Sequence, residues 1–382
     1  MQVLIIRTFV GLLGVAAVIA TFLSALRTVV LPRAVPSRLA RAVFLALRTA
    51  YDLRLKRVAS YEDRDAVMAT YGPLSLLALL QVWLIVTYFG FVAIWWSIGR
   101  TLRDALDLSG SSLTTLGFQH PPGLPGVFIA VTEAISGLVL LALLITYLPA
   151  LYSAFKTREF LVAKLEVRAG QPPSGATLLW RYSRLGRVDQ LTEVWRDWEN
   201  FFIDIEESHT SFPALTFFRS PQPGHSWVTA SGAVLDGAAL RASSVDLPPD
   251  VDAQLALRAG YIALRRICTF YRVPFPEDPQ PGDPISVRRD EYDAALVRME
   301  EGGVPLRADR EAAWLDFCGW RVNYDATLLA LAALTMAPYA EWSSDRSLSS
   351  EARALLPRPP RRALRLRLNE QAERERERHP VG

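Results

Sequence analysis

The sequence predicts an all-α membrane protein with three spanning helices at the front of the chain and a mostly helical domain behind them. Two observations carry that expectation. First, no charge appears from Thr8 to Leu26 or from Tyr71 to Gly99, and Val127–Phe155 carries only Glu133. A helix needs about 20 apolar residues to cross a hydrocarbon layer of ~30 Å, and each run meets or nearly meets that length. Second, from Lys156 onward the apolar residues recur at helical spacing between proline-rich breaks. The overall apolar share of 51% conceals this asymmetry, because a soluble protein could have the same average.

The first segment, within residues 1–31, has an apolar core longer than a signal-peptide core, and no small-residue cleavage site precedes the basic stretch after it. A retained helix is expected. Residues 32–70 form a basic linker containing Arg33, Arg38, Arg41, Arg48, Arg54, Lys56, Arg57 and Arg64. Within it Leu39–Leu55 is amphipathic, with Val43, Phe44, Leu47, Tyr51 and Leu55 among the arginines. Two placements stay open: flat on the inner leaflet, or packed as a solvated helix on the C-terminal domain.

Past the third run come Lys156, Arg158, Lys164 and Arg168, whereas the connection 100–126 offsets Arg100 and Arg103 with Asp104 and Asp107. Positive loops stay cytoplasmic. The N-terminus and connection 100–126 are therefore expected outside, with everything from Lys156 onward in the cytoplasm of a plasma-membrane protein. Trp95 and Trp96 suit an outer aromatic belt, Tyr147 and Tyr152 an inner one. A net charge of +3 is too small to argue for nucleic acid, and 39 arginines against 3 lysines fit a GC-rich bacterial genome. Cys268 and Cys318 have no metal-ligand spacing and read as two packed, reduced thiols.

Residues 71–155 hold the most specific pattern. Thr101–Leu113 has the length of a short helix and lies between the second and third spanning runs. Ser112-Leu113-Thr114-Thr115-Leu116-Gly117-Phe118-Gln119 follows, then His120-Pro121-Pro122. This order resembles the one-pore-loop module of the potassium channel superfamily, over roughly Leu74 to Phe155. The resemblance implies a re-entrant pore loop in which backbone carbonyls replace the hydration shell of a permeating cation. Thr114, Thr115, Leu116, Gly117, Phe118 and Gln119 would form the selectivity filter, with the Thr115 hydroxyl at its inner end. The short helix would aim its C-terminal partial negative charge at the cavity. The family continues Gly-aromatic-Gly-Asp where this chain has Gln119 and His120, so a side chain stands at a position expected to need positive φ. That departure is the feature that favours a non-conducting protein with a pore-like fold.

Gly137 lies near where such channels carry a gating-hinge glycine, and Pro149 falls one turn before the cytoplasmic end. Together they suit an inner helix that bends, although Gly137 equally suits close helix packing. Glu133, the one ionisable group inside a spanning run, is expected either near the filter, supporting it or attracting cations, or exposed at the outer interface.

In residues 156–345 helical spacing marks Phe160–Val167, Leu178–Leu185, Leu191–Ile205, Val251–Tyr271, Tyr292–Met299 and Ala312–Met336. Thr327–Ala340, at 14 residues and interrupted by Pro338, is too short to span and reads as a buried core helix. Catalytic constellations are not evident. Asp204, Glu206, Glu207 and His209 are close in sequence, as metal ligands or as one polar helix face. His225, beside Ser226 and Trp227, has no identifiable acid partner for a triad. Trp180, Trp195, Trp198, Trp314 and Trp320 read as core or subunit contacts. Residues 346–382 form a charged tail, expected to be a solvated helix or disordered, with Arg358–Arg378 as a partner- or membrane-facing alternative.

The resemblance as a whole implies a non-enzymatic, homotetrameric channel subunit in the lipid bilayer, passing potassium or another monovalent cation and holding no other cofactor. The alternative is a non-conducting membrane-anchored signalling or scaffold protein that keeps the pore-like fold.

Overall fold

The computed structural model describes residues 2–30, 37–58 and 60–346, so Arg33 and the tail 347–382 lie outside the described residues. Strands are absent among the described residues, apart from one isolated bridge between Val245 and Leu306. The chain divides into two units. Met1–Phe155 and Ser211–Phe218 form the first, Lys156–Thr210 and the chain from Arg219 the second.

The first unit contains α1 (Gln2–Val29), α2 (Arg38–Leu55), α3 (Tyr61–Ala69), α4 (Tyr71–Ser97), α5 (Leu102–Leu113) and the beginning of α6 (Gly123–Ala169). Of these α1, α4 and α6 are long and apolar enough to cross a membrane. Their outward faces are apolar, as Leu4, Phe9, Leu12, Leu77, Ile85, Phe128, Ile135 and Leu141 illustrate, which suits lipid rather than water. Lipid offers no hydrophobic drive to bring helices together, so close backbone approach matters. The buried stripe of α1 is accordingly small: Gly11, Gly14, Thr21, Ser24 and Ala25. Gly14 meets the Gly90 carbonyl of α4, and a Cβ on Gly90 would come within 2.8 Å of Val18. Trp83 donates its indole N–H to Ser24 Oγ at 3.1 Å, and the Ser24 and Ser37 hydroxyls are 2.6 Å apart.

Helix α2 begins on the Ser37 cap, whose Oγ accepts the Ala40 amide. Its apolar residues Leu39, Ala40, Val43 and Phe44 pack against Ala25, Leu79, Trp83 and Leu140. Val43 and Phe44 of the amphipathic stripe are thus used within the first unit, against α1, α4 and α6.

Helix α6 runs unbroken for 47 residues. The change from apolar to charged sequence at Lys156 does not end it, because charged residues are good helix formers. The helix stops at Gly170, which has φ +83°.

The second unit continues with α7 (Gly175–Arg184), α8 (Thr192–Ser211), α9 (Trp227–Ser243), α10 (Val251–Tyr271), α11 (Arg289–Glu301), α12 (Arg310–Arg321) and α13 (Asp325–Thr335). Its centre is α9, buried on nearly every side and contacted by α7, α10, α12 and α13. Glycines set those approaches: a Cβ on Gly175 would strike the backbone of α9, and one on Gly260 would strike Leu235 and Phe202. Trp195 and Trp198 are buried, Trp314 stacks beside Tyr292 and Phe317, and Trp180 covers Gly302.

Ala312–Met336, which the spacing suggested as one segment, is two helices. Asn323 interrupts it by donating its amide to the carbonyls of Gly319 (2.9 Å) and Trp320 (3.3 Å). The break turns Arg321, Tyr324 and Asp325 toward Asp236 of α9. Arg321 pairs with Asp236, bonds Asp325 at 2.7 Å and the Trp342 carbonyl, and Tyr324 donates to Asp236 at 2.7 Å. Against burial, the two carboxylates raise the pKa of Arg321, so its charge is secure. α13 is a core helix, closed by Met336 in the left-handed region two residues before Pro338.

Candidate functional site

The segment Thr114–Gln119 follows α5, and α5 is fastened from behind. Thr101 caps its start by accepting the Asp104 amide at 3.1 Å. Ala105 and Leu108 turn into a cluster with Phe91, Val92 and Trp95 of α4. Tyr88 donates its hydroxyl to the Leu106 carbonyl at 3.1 Å, and Ser109 bonds the Tyr88 carbonyl at 3.1 Å.

Glu133 completes the fastening. Its side chain is fully buried, accepts the Trp95 indole N–H at 3.1 Å and is bonded by the Ser109 hydroxyl. The three residues come from α4, α5 and α6, so one carboxyl group ties three helices together. Exposure of Glu133 at an interface is thereby excluded. Trp95 is likewise no belt residue, since its ring is wholly buried and its N–H is spent on Glu133. Tyr147 is also buried, in a cluster with Leu76, Leu151 and Ala214, which leaves exposed Tyr152 and half-buried Trp96 as the outward-facing members of the expected belts.

Gly137 lies against the end of α5, where an added Cβ would be 2.5 Å from the Leu113 carbonyl oxygen. Close packing is therefore its visible duty. Pro149 sits within α6 and withholds one backbone N–H from the helix.

The segment itself is turned inside out. The amide of Thr115 donates to Ser112 O (3.0 Å), that of Gly117 to Ser111 O (3.3 Å) and that of Gln119 to Ser111 Oγ (2.9 Å). The carbonyls of Thr115, Leu116, Gly117 and Phe118 accept no hydrogen bond among the described residues. Side chains from Thr114 to Gln119 are exposed, Leu116 at 72% and Phe118 at 57%. The amides of Thr115, Gly117 and Gln119 are thus committed to α5, while those four carbonyls are not committed.

Torsions decide which residues bear strain. Gly117 has φ +70°, with nothing within 4 Å of the position a Cβ would take. Thr115 has φ +58°, an outlier for a β-branched residue. Gln119 is not among the positive-φ residues, contrary to the expectation for that position. Ser111 holds it by the backbone amide, so its side chain carries no torsional penalty. The Thr115 hydroxyl bonds the Thr114 carbonyl at 2.6 Å, and Thr114 bonds Gly110 O at 2.5 Å.

Elsewhere the suggested sites come apart. Glu206 pairs with Arg266 at 2.5 Å. His209 is buried, 3.3 Å from Arg158 and 3.2 Å from the Ser208 hydroxyl, with its ring 4.6 Å from that of Trp227 and tilted to it. Asp204, Glu206, Glu207 and His209 therefore form no common ligand set. His225 does have an acid neighbour, Glu166, at 3.3 Å and far off in sequence. Its neighbour Ser226 caps α9, so no triad results. Cys268 and Cys318 are free, and burial raises both thiols, Cys318 to about 11.

Sequence reasoning reached Glu133 and the segment after α5, missed Ser109, Ser111 and Tyr88, and gave Trp95 to the outer belt instead of to Glu133. The signal available was hydroxyls on the buried side of a short helix: Ser109 and Ser111 are both buried. Comparison of the chain with protein-family models, curated proteins and solved structures finds no match.

Proposed function

We propose that this chain is a subunit of a cation channel whose pathway is lined by the carbonyls of Thr115, Leu116, Gly117 and Phe118. One observation carries the proposal: the amides of Thr115, Gly117 and Gln119 turn back to α5 while the carbonyls of Thr115, Leu116, Gly117 and Phe118 stay uncommitted, between two helices long enough to span a bilayer. Oriented carbonyl oxygens are what a dehydrated monovalent cation needs. Non-helical backbone is tolerated at membrane depth only where protein buries it or it lines a watery path. In this reading α5 and the segment dip back into the membrane from outside, and the chain beyond Lys156 is cytoplasmic. One chain supplies a single segment, so the pathway is shared by four copies around an axis. Glu133, Ser109 and Trp95 hold α5 rigid so that the carbonyls keep their aim.

The test is potassium flux through purified protein in liposomes, with sodium compared on the opposite side. Wild-type protein is expected to pass cations, and Gly117→Val to abolish passage, because a β-branched residue is strained at φ +70° and shifts the carbonyls beside it. Flux that survives Gly117→Val removes the segment from the pathway. Leu116→Cys is expected to react with a membrane-impermeant maleimide from outside intact cells; labelling only after permeabilisation reverses the orientation. Absence of flux in a folded wild-type protein favours the second reading, an anchored signalling or scaffold protein, which Gln119 in place of a glycine first suggested.

A further inference from the structure

Residues 211–218 leave α8, join the first unit and depart toward α9. They include a short 3₁₀ turn, Pro213–Phe217, whose Ala214, Leu215 and Thr216 are buried. Phe212 lies 5.2 Å from the Tyr147 ring, Phe218 lies 5.9 Å from the Phe155 ring, and Phe217 lies 5.3 Å from Tyr71. Ala214 shares a cluster with Leu76 of α4 and with Tyr147 and Leu151 of α6. Gly72 leaves room for Phe218, since a Cβ there would be 2.6 Å from its ring.

On α6 the contacted residues are Tyr147, Leu151 and Phe155. At four-residue spacing they lie on one face, and they bracket Pro149. At that proline the Ile145 carbonyl loses its usual intrahelical donor, which makes the helix easiest to bend there. The segment reaches both sides of this weak point and fastens them to the start of α4.

We infer that residues 211–218 are a splint: they hold α6 straight across Pro149 against α4, and their release frees α6 to bend. The role of that bending as a gate rests on the channel reading above.

Hydrogen exchange on the full chain in nanodiscs tests this. In Phe212→Ala/Phe218→Ala protein, amides of residues 145–155 are expected to exchange about tenfold faster or more, with residues 129–140 and the second unit unchanged. Adding Pro149→Ala restores the missing N–H and is expected to bring exchange back toward wild type. Unchanged exchange at 145–155, acceleration throughout the chain, or failure of Pro149→Ala to rescue each overturn the splint. Liposome flux separates the two claims. Faster flux in the double variant supports the gate; no flux in any variant, with the exchange pattern as expected, sinks the channel reading and leaves the splint standing.

Discussion

Thr115 and Gly117 sit two residues apart in the same left-handed region, and only one of them is a glycine. A β-branched residue there costs on the order of 1–3 kcal/mol unless the surroundings over-determine it. The surroundings are the Thr115 amide on Ser112 and its hydroxyl on Thr114. Thr115→Gly should therefore raise the thermal midpoint of the purified protein, by an amount on the order of 1 kcal/mol; a lower midpoint would show that the torsion carries no strain. Glu133 makes the opposite case, in which removal costs. Glu133→Leu strands the Trp95 N–H, at about 1–3 kcal/mol, and leaves the Ser109 hydroxyl only the Tyr88 carbonyl. Pairing it with Ser109→Ala removes a hydroxyl that has already lost its Glu133 bond, so the double variant should be destabilised by less than the sum of the singles. Strict additivity in melting experiments would mean that Ser109 and Glu133 do not act on each other.

Among the elements, those that announced themselves were the ones with contrast along the chain. Long charge-free runs gave α1, α4 and the apolar part of α6, and periodic stripes gave α2, α7, α8, α10 and α11. Helix α9 had no contrast to offer. It is buried all round, its Ala, Gly and Ser positions show no face, and its one acid, Asp236, is neutralised by Arg321 from 85 residues away. The splint was hidden for a related reason, since Phe-Pro-Ala-Leu-Thr-Phe-Phe reads as a loop until its partners on α4 and α6 are known. At the candidate site the sequence supplied the exposed segment and Glu133, but the positive φ at Thr115 and the role of Ser111 depend on how α5 is held. Gly137 is where the element scale is testable. With 2.5 Å between an added Cβ and the Leu113 carbonyl, Gly137→Ala must push α6 from the end of α5, at about 1–3 kcal/mol. A pure hinge would instead leave the melting temperature unchanged and alter only flux.

At the scale of the whole molecule, His209 links the stability of the second unit to pH. It is fully buried between Arg158, Ser208 and Trp227, with Glu159 bonded to the same guanidinium at 2.9 Å. Burial first, and the Arg158 charge second, push the imidazole well below its ordinary value of 6.5. The folded chain therefore keeps His209 neutral where the unfolded chain protonates it. The unfolded state binds more protons between the depressed folded value and 6.5, so stability is full above about 6.5 and declines as pH falls through that window. Each pH unit inside the window costs up to about 1.4 kcal/mol, or about 2–4 °C per kcal/mol for a unit of this size. Melting followed in nanodiscs from pH 7.5 to 5.5 should show that decline in wild-type protein, and His209→Gln should flatten it. The other three histidines are present in both proteins and cancel from the comparison. Equal slopes in the two proteins would assign the pH dependence to other groups and leave His209 as a packing residue alone.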